Sequence, residues 1–181
     1  MILETERLLL RPWRDEDLEP FVSMNADPEV MRFFPAPYAP GQSRERMDLV
    51  RAALEERGWG WWAVEIKGEA PFIGFVGLNP VPAGYPFAPA VETGWRLMRP
   101  WWGRGLAPEG ARAALDLAFG ALGMEEVVAF TATVNLPSRR VMEKLGMTRD
   151  PGDDFAHPLL AADHPLAPHV LYRIRPSRTP R

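Results

Sequence analysis

Hydrophobic residues recur along this chain with two different periods, and the period changes at Gly58. A short apolar run over residues 6–11 predicts a first strand, after which apolar residues recur at helical spacing. We expect three helices there: one that begins near Asp15, one that opens at Asp27-Pro28, and one over residues 43–57 that ends at Gly58.

Strand patterns follow Gly58. The predicted order is a strand over 59–66, a strand over 72–78, a proline-rich loop over 79–89, a strand over 90–98, a helix over 107–122, a strand over 127–134, a helix over 136–145, an irregular stretch over 151–168 and a strand over 170–174. Short connections favour antiparallel pairs, whereas a strand–helix–strand order requires a parallel one. We therefore expect an α+β domain with a mostly antiparallel sheet and one parallel pair near its centre.

Composition and charge narrow the class of protein. A length of 181 residues suits a single domain over 1–181, with 176–181 as a flexible tail. The formal net charge of -3 provides no basic stripe for a phosphate backbone, so nucleic acid is not an expected partner. The C-terminal arginines are few and interrupted by proline, and we expect a solvated terminus: Arg173, Arg175, Arg178 and Arg181.

The absence of cysteine excludes disulfides, thiolate zinc sites and cysteine nucleophiles. No apolar run approaches the roughly 20 residues that a membrane span needs. The segment Met1–Glu4 has no basic region that leads into an apolar one, as a signal peptide would. The prediction is a cytoplasmic protein.

The turn between the strand over 90–98 and the helix over 107–122 is the most informative segment. It consists of Trp102, Gly103, Arg104, Gly105, Leu106 and Ala107. Glycines let backbone N–H groups face an anion, and the helix adds its free N–H groups and positive dipole end. Arg104 would add charge at the rim. We expect a pyrophosphate-binding turn, and a tight strand-to-helix connection is the alternative.

This turn resembles the coenzyme A loop of the Gcn5-related N-acetyltransferase (GNAT) family. The family pattern Gln/Arg-x-x-Gly-x-Gly/Ala reads here as Trp102-x-x-Gly105-x-Ala107. A tryptophan at this position resembles the motif of the branch of ribosomal-protein N-terminal acetyltransferases. Because the usual polar side chain is missing, backbone amides must bind more of the coenzyme A. The likeness runs from residues 6–11 to Tyr172.

The resemblance implies a GNAT fold, with helices on both faces of the sheet and a central parallel strand pair that splays apart. It implies transfer of an acetyl group from acetyl-CoA to a primary amine by direct attack in a ternary complex. The acceptor would be a protein N-terminal α-amine or a small-molecule amine. No metal, nucleic acid or membrane is implied, and homodimers are common in the resembling branch.

A second segment, over residues 135–147, is similar to the other GNAT signature. Asn135 can cap the helix that Pro137 helps to begin, and its amide suits the pantetheine arm. Many family members carry a tyrosine, which protonates the departing thiolate, where this chain has Met142. Ser138 is the nearest hydroxyl, and we expect it to donate a hydrogen bond or act as a weak general acid. The alternative is that Ser138 only satisfies backbone groups at the helix start.

Glu92 is the candidate general base, because a protonated amine must lose a proton before it attacks. It occupies the position of the glutamate that the family frequently uses. A solvated glutamate at a sheet edge is the alternative. The pair Thr93-Gly94 predicts a β-bulge that directs side chains into the cleft. The resemblance also implies that a backbone N–H of this strand polarises the thioester carbonyl of acetyl-CoA.

Aromatic and histidine residues leave two further questions open. Trp59 and Trp61 share one strand face and Trp62 the other, and each belongs to the core or to an acceptor pocket. His157, His164 and His169 lie near acidic residues at a spacing that fits no helical metal pair. We expect this stretch to be a loop that covers the cleft, with a metal site as the alternative.

Two other functions stay open from the sequence. The missing tyrosine leaves room for a catalytically silent acyl-CoA-binding or sensing module. The second of these functions is a nucleic-acid-associated factor, but the acidic pI near 5.7 argues against it.

Overall fold

A nine-stranded mixed sheet organises the protein in a computed structural model that describes residues 1–176. Arg178 and Arg181 therefore lie outside the described residues. The strands are β1 (Leu3–Glu4), β2 (Leu8–Arg11), β3 (Trp61–Ile66), β4 (Ala70–Pro80), β5 (Val91–Leu97), β6 (Val127–Ala132), β7 (Thr148–Arg149), β8 (Phe155–Ala156) and β9 (Pro168–Ile174). They lie in the order β1-β2-β3-β4-β5-β6-β9-β7, with β8 also paired to β9.

Helices cover both faces of this sheet. They are α1 (Leu18–Ala26), α2 (Pro40–Arg57), α3 (Leu106–Phe119) and α4 (Leu136–Lys144), with short 3-10 turns at Asp15–Asp17, Arg99–Trp101 and Pro151–Asp153. Phe75 and Val76 are neighbours on β4, so their side chains point to opposite faces. Phe21 of α1 packs edge-on against Phe75, whereas Gly110 brings α3 close to Val76. The two helical layers therefore lie on opposite sides.

The parallel pair is β5–β6, and its pairing is brief. The two strands share a single register pair, Glu92 with Val128. On the other sides, β5 pairs antiparallel with β4 from Val91 to Leu97, and β6 pairs with β9 along its length. Beyond Glu92 the two strands separate. The α+β GNAT-like fold with a central splayed pair is thus confirmed.

The prediction of a helix that opens at Asp27-Pro28 is wrong. Asp27 caps a turn, since its Oδ1 accepts from the Glu29 N–H at 2.8 Å. One helical bond follows, from the Met31 N–H to the Asp27 carbonyl at 3.0 Å. The turn cannot continue because Pro35 and Pro37 follow, which lack the N–H groups that a helix needs.

The predicted bulge at Thr93-Gly94 is also wrong, because the β4–β5 register runs without a break through both residues. The register shift lies between Val64 and Ile66 instead. Gly94 has a different purpose. A Cβ there would lie 2.9 Å from Cη2 of Trp61, so only glycine admits the indole at this distance.

Most other predicted helices and strands begin and end within a few residues of the observed ones. The short strands β1 and β7 were not predicted, and β8 lies inside the stretch expected to be irregular. Two residues of strand give too little pattern to detect. No helix within residues 1–176 combines the length and the apolar character that crossing a bilayer would require.

Candidate active site

A cleft of about 610 Å³ opens where β5 and β6 separate. Eight of the nine residues expected in the site line it: Glu92, Trp102, Gly103, Gly105, Leu106, Ala107, Asn135 and Ser138. Arg104 does not. The walls come from β5, β6, α3, α4 and the turns that follow α1, so residues far apart in the chain meet here.

The turn before α3 presents a row of free backbone donors. Gly103 and Gly105 have φ values of 75° and 76°, in the left-handed region that glycine adopts at little cost. Within residues 1–176, the N–H groups of 103–107 donate to no other residue, and Pro108 has none to give. The first helical bond runs from the Glu109 N–H to the Gly105 carbonyl at 3.3 Å. Such a row at a helix N-terminus binds anions.

Arg7 and Glu109 hold this turn in place, and sequence reasoning missed both. Arg7 Nε donates to Glu109 Oε2 at 2.7 Å, and Arg7 Nη1 donates to the Arg104 carbonyl at 3.0 Å. Burial raises the pKa of Glu109, but hydrogen bonds from Thr5 and Arg7 outweigh it, so the pKa is lowered overall. Glu109 stays ionised, and the positive charge of Arg7 offsets its negative charge beside the turn.

Arg104 points away from the cleft. Its Nη1 and Nη2 donate to the two carboxylate oxygens of Glu69, each at 2.9 Å, and its guanidinium lies 5.1 Å from the ring centre of Trp101. The charge expected at the rim is engaged in this ion pair, and only the main chain of Arg104 belongs to the turn. Arg140 and Lys144 of α4 line the cleft instead.

Trp102 links the end of β5 to the turn. Its Nε1 donates to the Leu97 carbonyl at 2.7 Å, and its side chain is 39% exposed beside the opening. The tryptophan thus replaces a polar side chain with an anchor for the loop.

The start of α4 faces the separated end of β5. Asn135 caps the helix, with Oδ1 accepting from the Ser138 N–H at 3.2 Å and Nδ2 donating to Thr131 Oγ1 at 2.8 Å. Ser138 Oγ accepts from the indole Nε1 of Trp95 at 3.0 Å. Within residues 1–176 the Ser138 hydroxyl donates to no acceptor, so its proton is available. Met142 is buried in the core.

Glu92 lies inside the sheet, between β4 and β6, which excludes the solvated edge position. Burial raises the pKa of Glu92 to about 7, partly offset by a hydrogen bond from Asn79 Nδ2 at 3.3 Å. Its carboxylate forms no ion pair within residues 1–176. A carboxyl group that titrates near neutrality can accept a proton.

The backbone of β5 also directs donors into the gap. Met98 N–H donates to the Ile73 carbonyl on the β4 side at 2.8 Å. Because N–H groups alternate sides along a strand, those of Trp95 and Leu97 point away from β4. The Leu97 carbonyl, which accepts from Trp102, points the same way. The Trp95 N–H therefore faces the opening.

Comparison with known proteins settles the family. The acetyltransferase (GNAT) domain model matches residues 7–148. The chain belongs to the GNAT acetyltransferase family. It is 35% identical over 153 residues to the FsC-acetyl coenzyme A-N(2)-transacetylase of Aspergillus fumigatus, a match that covers 81% of this chain and 64% of that protein.

Solved structures agree with this GNAT assignment. An acetyltransferase from Agrobacterium tumefaciens str. C58 is 28% identical with a TM-score of 0.78, over 97% of this chain and 95% of that one. RimL, a ribosomal L7/L12 alpha-N-protein acetyltransferase solved with coenzyme A, is 13% identical with a TM-score of 0.76, over 97% of each chain, and shares the fold. The chain thus carries an N-acetyltransferase domain, and the predicted GNAT family is confirmed, with the fold shared by RimL.

The three tryptophans at positions 59, 61 and 62 divide between the core and the cleft of this GNAT protein. Trp62 is fully buried in the core. Trp61 lines the cleft over Gly94. Trp59 packs against the core with the Arg57 guanidinium 5.1 Å from its ring centre.

The histidine stretch borders the cleft opposite α4. His157 and His169 line it with their rings 4.8 Å apart, and the Tyr85 hydroxyl lies 2.8 Å from His157 Nε2. Burial lowers the pKa of His157, and it lowers that of His169 to about 4, so His169 is neutral at pH 7. His164 Nδ1 accepts from the Leu166 N–H in a turn. Among residues 1–176, no three His, Asp or Glu side chains come together as a metal site would require.

Proposed function

We propose that this GNAT protein transfers an acetyl group from acetyl-CoA to a primary amine, by direct attack in a ternary complex. The observation that carries the proposal is the row of free N–H groups at 103–107, beside the opening between β5 and β6. The acceptor is a protein N-terminal α-amine or a small-molecule amine. The names of two similar proteins, an N(2)-transacetylase and an alpha-N-protein acetyltransferase, support an amine acceptor.

In this proposal the diphosphate of the donor lies on the N–H groups of Gly103 to Ala107. Fixed amide dipoles hold phosphate oxygens without a metal ion. Arg140 and Lys144 supply positive charge from α4. Asn135 keeps one amide hydrogen for the pantetheine arm, since the other is donated to Thr131.

The acceptor reacts as a neutral amine. Glu92 takes one proton from the ammonium, directly or through water, and the amine nitrogen then bonds to the thioester carbon. The Trp95 N–H polarises the carbonyl oxygen as negative charge develops on it. The carbon–sulfur bond breaks, and the electron pair leaves with the sulfur.

Ser138 receives the leaving thiolate. Its Oγ already accepts from the Trp95 indole, so its hydrogen is free to point to the sulfur. A hydroxyl is too weak an acid to protonate a thiolate fully, but its hydrogen bond stabilises the developing charge. The second proton of the attacking nitrogen passes through water to the thiolate, and Glu92 releases the first proton to solvent, so the protons balance over the cycle.

Thiol release from acetyl-CoA, measured over a panel of amines and amine-terminated peptides, tests the proposal. Amine-dependent release together with coenzyme A binding supports it. Binding without release for any amine supports the alternative, a silent acyl-CoA-binding module. Absence of both thiol release and coenzyme A binding contradicts the proposal.

The cytoplasmic location and the homodimer expected from the sequence stay predictions.

A further inference from the structure

Arg96 lies deep in the acceptor half of the cleft, defined as the walls formed by β5 and the turns that follow α1. Its guanidinium carbon is 4.1 Å from the ring centre of Phe34 and 5.3 Å from that of Phe75. Its Nη1 donates to Asn25 Oδ1 at 2.8 Å. Asn25 is fully buried and donates in turn to Ser43 Oγ at 3.1 Å. The guanidinium is therefore held in one place by two aromatic rings and a rigid amide.

This cation has no counterion within residues 1–176. No carboxylate oxygen lies within 4.0 Å of its nitrogens, and the buried Nε makes no hydrogen bond. Removing a charge from water without a partner is costly, so an unpaired arginine in a cleft indicates a partner that binds there. Within residues 1–176 its hydrogen-bond and ring partners are neutral, and the charged group near it is a second arginine, Arg46.

The other charges nearby leave the acceptor half positive. Arg32 is paired with Glu29 at 3.5 Å. Arg46 also lines the cleft, with its guanidinium 4.3 Å from the Tyr38 ring centre, and forms no ion pair within residues 1–176. Glu92 lies at the other end of β5. Two arginines thus remain unneutralised on this side.

We propose that the acceptor is a small amine that carries its own carboxylate, as an amino acid does, and that Arg96 binds this carboxylate with Arg46 beside it. The proposal rests on the acetyl-transfer function above. Arg96 follows Trp95, whose N–H faces the gap, so a carboxylate held here keeps the acceptor's amine near the reacting carbonyl. The planar guanidinium matches a carboxylate with two parallel hydrogen bonds. A neutral acceptor leaves Arg96 unpaired, which a site built for an anion rejects.

Matched acceptors test this without any mutation. Each amino acid is compared with its own carboxamide, which keeps the amine and the side chain but removes the negative charge. We expect thiol release with a kcat/KM at least about tenfold higher for the acids than for the carboxamides. Equal rates for acid and carboxamide, or a preference for the carboxamide, overturn the proposal.

Variants assign the preference to a residue. Arg96→Gln should bring the acid-to-carboxamide ratio close to one, and Arg96→Lys should keep part of it. Arg99→Gln is the control, because Arg99 is an exposed arginine that does not line the cleft, and it should keep the wild-type ratio. An unchanged ratio in folded Arg96→Gln overturns the assignment. Should Arg96→Gln fail to fold, the wild-type comparison still decides.

A binding measurement separates this proposal from acetyl transfer itself. Calorimetry of the protein with coenzyme A, titrated with the amino acid or its carboxamide, needs no turnover. Selective uptake of the acid supports the carboxylate site even where no thiol is released, in which case only the proposed reaction fails. Uptake of neither, or of both equally, contradicts the site.

Discussion

The indole Nε1 of Trp95 donates a hydrogen bond to Ser138 Oγ over 3.0 Å, across the gap where β5 and β6 part. This bond joins a strand to the first turn of α4 and occupies a lone pair of the hydroxyl. The Ser138 proton is consequently directed elsewhere, and the leaving sulfur is the acceptor that the proposed reaction supplies. Removing the hydroxyl tests this role.

Ser138→Ala should lower kcat by about tenfold to a hundredfold, because the developing thiolate loses a donor. The dissociation constant of coenzyme A should stay within about threefold, since the Ser138 N–H that Asn135 caps is retained. Steady-state kinetics and calorimetry measure the two quantities. Ser23→Ala on the exposed face of α1 is the control. An unchanged kcat in Ser138→Ala would remove the residue from the mechanism.

Glu92 should govern the pH dependence of the reaction. Because burial raises its pKa to about 7, the base form accumulates as the pH rises through that value, and kcat/KM should rise with it. Glu92→Gln should abolish this rise and reduce activity at least about a hundredfold. Glu125→Gln, at an exposed site, should keep the wild-type profile. Full activity of Glu92→Gln across the pH range contradicts the assignment.

The same carboxyl group should also leave a mark on stability. A raised pKa means that the folded protein holds this proton after the unfolded chain has lost it. The free energy of unfolding should therefore fall as the pH rises between the ordinary glutamate value of 4.5 and about 7. In Glu92→Gln this part of the decline should be missing from denaturation curves, and an identical decline would show that Glu92 titrates normally.

Gly94→Ala should damage acceptor binding more than donor binding. The added Cβ would lie 2.9 Å from Trp61 Cη2, so the indole must move out of the cleft wall. We expect the KM for the amine to rise about tenfold while coenzyme A affinity changes little. Gly41→Ala is the matched control, because nothing lies within 4 Å of its Cβ position. If the KM for the amine is unchanged in Gly94→Ala, Trp61 does not shape the acceptor pocket.

Arg7→Met should weaken coenzyme A binding by about tenfold or more, although Arg7 does not line the cleft. The substitution leaves Glu109 ionised and unpaired beside the phosphate turn, and it frees the Arg104 carbonyl. Calorimetry checks the affinity. Arg14→Met, at a mostly exposed arginine, should bind as wild type does. Wild-type affinity in Arg7→Met would show that the turn keeps its shape alone.

Sequence patterns predicted much of this fold because they report local geometry. The helical spacing in α3, the apolar run of β6 and the Asn135 cap each follow from residues within one element. The prediction of a helix at Asp27-Pro28 failed because a capping signal involves only the first turn. Pro35, which ends the turn, lies several residues beyond that signal.

The part of the candidate site that backbone groups form could be predicted from the sequence. The part that depends on contacts between side chains remote in sequence could not. Gly103 and Gly105, together with the resemblance of residues 102–107 to the coenzyme A loop, led to the prediction of the turn. The pairing of Arg104 with Glu69 joins two turns that are remote in sequence, so no spacing rule shows it. Arg96 looks like any strand arginine in the sequence, and only the fold reveals that no carboxylate within residues 1–176 pairs with it.

An NMR titration of ¹⁵N-labelled protein with coenzyme A tests most directly whether the backbone amides of residues 103–107 bind the diphosphate. The amide signals of residues 103–107 should shift as hydrogen bonds form, while those of Gly58 and Gly123 stay in place. Pantetheine, which lacks the diphosphate, should leave the turn signals unchanged. Coenzyme A binding that moves other signals but not those of 103–107, or no binding by folded protein, would contradict the account.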